Sequence, residues 1–212
     1  MRILRPVSVT LMGLACVVGL QAAWLPLKAE IAQNLLERAW NRTLAGELRA
    51  RPWPWADTAP VGVLEAPAQS QRLLILEGAS GRNLAFAPAA LGPLDQPDVL
   101  ISGHRDTHFA FLADLTLGDP LIVRSPGGVR TYHVEHVEVV DSRLARMPVE
   151  TGIDRLTLVT CYPFDTIAPG GPLRWVVTAI PVTAQPEEPF PRPIPAMRKK
   201  SPPSGGPFKT SR

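Results

Sequence analysis

Apolar and polar positions along the chain fall into four stretches with different periods. Residues 6–27 carry no charge; Arg2 and Arg5 precede the run and Lys28 closes it. A helix needs about 20 apolar residues to cross a bilayer. Residues 1–28 are therefore expected to form a cytoplasmic N-terminus and a transmembrane anchor. A retained anchor is preferred to a cleaved signal peptide, because Gln21-Ala22-Ala23 makes a poor small-x-small cleavage site. Basic residues ahead of the span set the N-terminus in the cytoplasm and the rest of the chain on the periplasmic or extracytoplasmic side.

Over 29–48 the period becomes helical. Ile31, Leu35, Leu36, Ala39, Trp40 and Leu44 form one stripe, with Glu30, Gln33, Glu37, Arg38 and Arg42 between them. An amphipathic helix continuing from the anchor is expected, ended by Gly46 and Arg51-Pro52. It belongs to a unit over 29–59 that includes the connector Trp53-Pro54-Trp55-Ala56-Asp57-Thr58. The two tryptophans are read as pinning the helix to the following domain, with a flap over a cleft as the alternative.

From residue 60 the apolar runs shorten and turn residues separate them. Strands are expected at 61–65, 73–77, 98–102, 119–124, 129–140, 156–161 and 173–180, and short helical pieces at 83–91 and 109–115. Ser125-Pro126-Gly127-Gly128 reads as a hairpin turn. There is no regular alternation of strand and helix and no internal repeat, so residues 60–183 read as a mainly β barrel or sandwich. The last stretch, 184–212, is rich in proline and carries Arg198-Lys199-Lys200. It has too little apolar content to bury a core and is expected to be a disordered tail.

Charge and cysteine usage change this picture in two ways. The net charge of +3 over 212 residues sits largely at the two ends, which argues against nucleic-acid binding. Of the two cysteines, Cys16 lies inside the expected span and Cys161 in the outer domain, so they are not expected to pair. An exported domain with one unpaired thiol points to intermolecular pairing or to a reactive cysteine.

Cys161 occupies the last position of an expected strand, on one face with Thr157 and Val159. Pro163, lacking an amide hydrogen, stops the ladder. The next strand returns Arg174 to the same sheet end. Among four histidines, His104 also ends a strand, after Gly103. His108 lies in the loop behind it. His133 and His136, three apart in one expected strand, should face opposite ways and are read as ordinary edge residues. A zinc pair of His104 and His108 with Cys161 is disfavoured: Gly103 follows a strand, and a clear set of further ligands is lacking. No metal and no cofactor are expected.

The better combination is His104, Cys161 and Arg174. A free thiol titrates at about pH 8.5 and reacts as the thiolate, so it needs a base or positive charge beside it. Histidine supplies a proton donor and acceptor, and arginine a permanent fork of donors for a developing oxyanion. Those roles describe acyl transfer through a thioester. The loop 162–172 is too long for a tight hairpin and reads as a wall of the substrate groove.

Gly103-His104-Arg105, Thr157-Leu158-Val159-Thr160-Cys161 and the downstream Arg174 resemble the sortase family, over roughly 60–182. Gly103-His104-Arg105-Asp106-Thr107-His108-Phe109 and Cys161-Tyr162-Pro163-Phe164, followed by Gly170-Gly171-Pro172-Leu173-Arg174, look most like its Gram-negative branch, class GN. The resemblance implies an eight-stranded β-barrel and a membrane-tethered cysteine transpeptidase. Cys161 would attack the Thr–Gly bond of an LPxTG-like C-terminal sorting signal on a protein substrate, with an amine on the cell surface as acceptor. His104 would be the acid and base, Arg174 the stabiliser of substrate and oxyanion, and Thr160, Tyr162 and Gly171 substrate-binding. Some sortases bind calcium, but no acidic loop here argues for it. Pilin-type members carry an Asp-Pro-aromatic lid, which Trp53-Pro54-Trp55-Ala56-Asp57 does not match. Two rivals differ in class. An L,D-transpeptidase-like enzyme would show a Ser-x-Gly-Cys-x-Arg cluster, where Cys161 is followed by Tyr-Pro-Phe. A non-catalytic anchored β-module would leave the trio unexplained.

Overall fold

The structure is a computed structural model describing residues 4–144, 152–166 and 170–182. Helix α1 (Leu4–Leu44) is continuous, so the expected span and the amphipathic segment belong to one helix. Among the described residues no helix is long and apolar enough to cross a membrane. Most side chains of the 6–27 run lie outside those described, as does the tail from residue 183. The helix ends four residues before the expected boundary, in a Schellman turn. Gly46 adopts φ 98°, Glu47 N–H donates to Arg42 O and Gly46 N–H to Thr43 O.

Eight strands close into a barrel in the order β1-β2-β3-β4-β7-β8-β6-β5. They are β1 (Pro60–Ala66), β2 (Gln71–Glu77), β3 (Ala89–Ala90), β4 (Asp98–Ser102), β5 (Pro120–Ser125), β6 (Gly128–Asp141), β7 (Arg155–Cys161) and β8 (Leu173–Pro181). Among the described residues, closure leaves no open edge on which another chain can add a strand. Two contacts are parallel, β2 with β3 and β4 with β7.

The unbroken apolar run Leu73-Leu74-Ile75-Leu76 in β2 follows from its position, which is covered on both faces. Ile75, with Leu73 at its margin, joins Leu64, Ile101, Phe109, Leu156, Leu158 and Val177 inside the barrel. Leu74 and Leu76 face outward with Val63 and Ala89, and Leu36 and Trp40 of α1 lie on them. The helical stripe is buried only along part of its length: Leu36 and Ala39 are fully covered, while Ile31 and Leu44 are 48% and 43% exposed. Trp53 of the connector sets its ring edge-on to Phe86 at 5.1 Å. Trp55 stays 81% exposed and lines a cavity of about 420 Å³ with Ile31, Leu35 and Phe86.

Two local expectations are corrected. Residues 83–91 do not form a helix of that length. A single turn, α2 (Gly81–Leu84), is capped by Ser80 Oγ accepting from Asn83 N–H at 3.2 Å. Pro88 then stops the turn and β3 follows, wedged between β2 and β4. His133 and His136 do not face opposite ways. The β6–β8 register slips between Val134 and His136, so Glu135 is an extra residue and both histidines pair outward, with Ile180 and Thr178. The piece expected at 109–115 is a 3₁₀ turn, Ala110–Asp114.

Candidate active site

Strand β7 separates packing from chemistry by alternation. Leu156 and Leu158 enter the core, and Thr160 continues that face at 2% exposure. Thr157, Val159 and Cys161 point the other way. Cys161 is partly exposed at the strand end. Arg174 of β8 lies directly opposite it. Tyr162 N–H donates to Leu173 O at 3.1 Å, so Cys161 and Arg174 form the neighbouring non-hydrogen-bonded pair, the arrangement that brings side chains closest.

The histidine arrives from the other side. Strand β4 runs parallel to β7, with Ser102 beside Val159. Gly103 N–H donates to Val159 O at 3.1 Å and prolongs the ladder. Two steps beyond Ser102, the register sets His104 beside Cys161, on the same outward face and exposed. Gly103 faces inward, where a Cβ would come within 2.7 Å of the Phe109 ring. No larger residue fits there without moving a buried aromatic. Thr160 Oγ–H donates to Gly103 O at 2.8 Å and ties the two strand ends together. Thr160 thus sits inside the barrel with its hydroxyl engaged by backbone, one residue from both His104 and Cys161.

The remaining expected site residues frame the thiol. Arg174 Nη1–H donates to Gly171 O at 2.6 Å and Leu173 O at 2.8 Å, so Gly171 supplies an acceptor that fixes this guanidinium. Tyr162 stacks on Trp175 with centroids 5.6 Å apart and planes at 18°. Phe164 meets both rings edge-on, at 6.3 and 5.5 Å. Trp175 Nε1–H donates to Leu112 O at 3.1 Å, which anchors the aromatic group to the barrel.

Arg105 was not among the expected site residues. Only 7% exposed, it donates through Nε to Asp106 Oδ1 at 2.7 Å, through Nη1 to Pro163 O at 2.6 Å and through Nη2 to Thr166 O at 2.8 Å. Donation to the Asp106 carboxylate raises its pKa above the usual arginine value, and the same contact holds Asp106 below the usual carboxylate range. The sequence signal was an adjacent Arg-Asp pair right after a strand-ending histidine. His108 is half-buried, and its Nδ1 lies 3.3 Å from Thr107 Oγ1. Burial and then the charge of nearby His104 push its pKa down. Among the described residues, no group of three or more His, Cys, Asp or Glu is placed to hold a metal ion.

Residues 64–182 match the family model described as "Sortase domain". The chain belongs to the sortase family. The sortase region takes in His104, Cys161 and Arg174 and excludes α1 and the connector. Sortase D of Bacillus subtilis (strain 168) is 30% identical over 127 residues, covering 58% of this chain. That match spans 64% of the relative, just under two thirds of its length. The crystal structure of sortase C1 from Streptococcus agalactiae is 26% identical, with a TM-score of 0.51 over 59% of this chain and 69% of that one. Sortase A from Corynebacterium diphtheriae, at 23% identity, shares the fold, with a TM-score of 0.51 over 74% of this chain and 86% of that one.

Proposed function

We propose that this sortase is a membrane-tethered cysteine transpeptidase acting on an LPxTG-like C-terminal sorting signal. The observation that carries the reading is the double register around the thiol: Arg174 opposite Cys161 on β8, and His104 beside it at the end of β4. In the first half-reaction the Cys161 sulfur attacks the threonine carbonyl carbon and forms a C–S bond. Negative charge collects on the carbonyl oxygen, where the Arg174 fork stabilises it. The C–N bond to glycine then breaks, and the His104 imidazolium gives its proton to the leaving amine. A threonyl thioester remains. In the second half-reaction an amine on a cell-surface acceptor attacks that carbonyl, His104 takes up its proton, and the thiolate departs.

Tyr162 and Gly171 border the groove on the β7–β8 side, and Thr160 holds the backbone from which His104 projects. The sequence over 103–109 and 161–174 favours the Gram-negative branch of the family. The uncharged run 6–27 between Arg5 and Lys28 supports retention in the cytoplasmic membrane, with the barrel outside.

The test uses the full chain in detergent micelles with an LPxTG-type peptide and an amine acceptor, read by intact-protein mass spectrometry. A thioester adduct on the native chain, resolved by added amine and missing from Cys161→Ala, is the expected result. No adduct across a panel of sorting-signal peptides overturns the reading. Protease protection in spheroplasts examines the orientation: digestion of the barrel from outside is expected, and full protection contradicts it.

A further inference from the structure

We propose that Arg105 is a positioning residue of the thiol site: from the histidine strand it clamps the backbone that follows Cys161 and so sets the wall of the substrate groove. This deepens the transpeptidase reading and rests on it for the meaning of the groove.

Three observations carry the inference. Arg105 is a nearly buried guanidinium, which is rare unless its donors are satisfied. Two of its three groups of partners are backbone carbonyls, Pro163 and Thr166, which lie 58 and 61 residues later in the chain. Those carbonyls belong to the segment directly after the nucleophile, not to the barrel core. Asp106 grips the same guanidinium from Nε and, at 3.4 Å, from Nη2, which aims the fork at the loop. A bond from a charged donor to a carbonyl is stronger than a neutral one, and a rigid fork fixes two points at once.

The aromatic group holds the same loop from the opposite side. Tyr162 and Phe164 rest on Trp175 of β8, while Arg105 reaches over from the end of β4. The loop after Cys161 is therefore fixed between the strand that carries His104 and the strand that carries Arg174.

Lysine at this position keeps the charge and loses the fork; glutamine loses the charge and keeps part of the hydrogen bonding. The test compares Arg105→Lys and Arg105→Gln with the native full chain in detergent, by the split between KM and kcat for a sorting-signal peptide. Arg105→Lys should raise KM by about tenfold with a smaller change in kcat, the mark of lost ground-state binding. A lysine variant that melts like the native chain with KM within about twofold of it overturns the clamp. If the glutamine variant does not fold, the lysine variant decides by KM alone. Failure of the native chain to form any thioester would remove the transpeptidase reading. Hydrogen exchange at residues 162–166, faster in the lysine variant, still tests the clamp in that case; unchanged exchange overturns it.

Discussion

The two faces of the end of β7 are one residue apart and do opposite work. On the inner face, Thr160 is 2% exposed, bonded to Gly103 O, and shares the space with Phe109 and Trp175, whose polar atom is also satisfied. On the outer face, Cys161, His104 and Arg174 are partly or wholly open to solvent. The inner face is made of contacts that tolerate little movement. The outer face is made of groups whose value lies in being free to react. The contrast teaches that the geometry of the candidate site is set by residues on the buried face.

Substitutions should therefore separate along the strand. Cys161→Ala is expected to abolish thioester capture, a loss of at least about 10³-fold, while stability stays within about 0.5 kcal/mol of native. A variant that melts far below the native chain would mean the outer face also holds the fold together. Gly103→Ala reverses the pattern. Its Cβ would sit 2.7 Å from the Phe109 ring. The overlap should cost about 1–3 kcal/mol, seen as a lowered melting temperature, and activity should fall because His104 is displaced. Native-like melting of this variant would show that the ring has room to give. Thr160→Val keeps the shape and removes the hydroxyl, leaving the Gly103 carbonyl without that donor. A loss of about 1–2 kcal/mol is expected by denaturant titration, together with weaker activity. If stability drops and peptide turnover does not, the tie between the two strand ends does not control the site.

The smallest effect is a pH dependence. His108 is held below its ordinary value, first by burial and then by the charge of His104. The unfolded chain therefore takes up this proton before the folded one does. The stability contributed by His108 is complete above the ordinary histidine value of about 6.5 and is lost as pH falls from there toward the lower folded value. Melting at about pH 7.5 and about pH 5.5 should show a smaller difference in His108→Gln than in the native chain. Equal differences in the two proteins would remove His108 from the account.

Much of the outer face was legible in the sequence, because each of its residues lies at one end of a strand, close to a residue that stops strands or turns. Cys161 lies two before Pro163, His104 directly after Gly103, and Arg174 just after the loop containing Gly170-Gly171-Pro172. The barrel strands were legible for a similar reason, since runs such as Asp98–Ser102 have clear composition and clear ends. Strand β3 was not. Its two alanines have no alternation, and their pairing comes from β2 and β4 rather than from their own preference. The bulge at Glu135 was equally hidden, since one inserted residue reverses the facing of everything beyond it without changing composition. Arg105 escaped notice because arginine after a strand reads as a surface residue, and its partners are carbonyls, which no side-chain pattern reports.

The parallel pairing of β4 with β7 also bears on the order in which the molecule assembles. Thr160 and Gly103 meet across 57 residues of chain, whereas β5 and β6 are joined by a tight turn. Contacts between distant segments must wait for a large loop to close, so they form after local hairpins. The Cys161 thiol thus gains Arg174 with the β7–β8 hairpin, and His104 only when β4 docks alongside β7. Completion of the barrel is then the step that assembles the candidate site, and a half-folded molecule carries the thiol without its histidine.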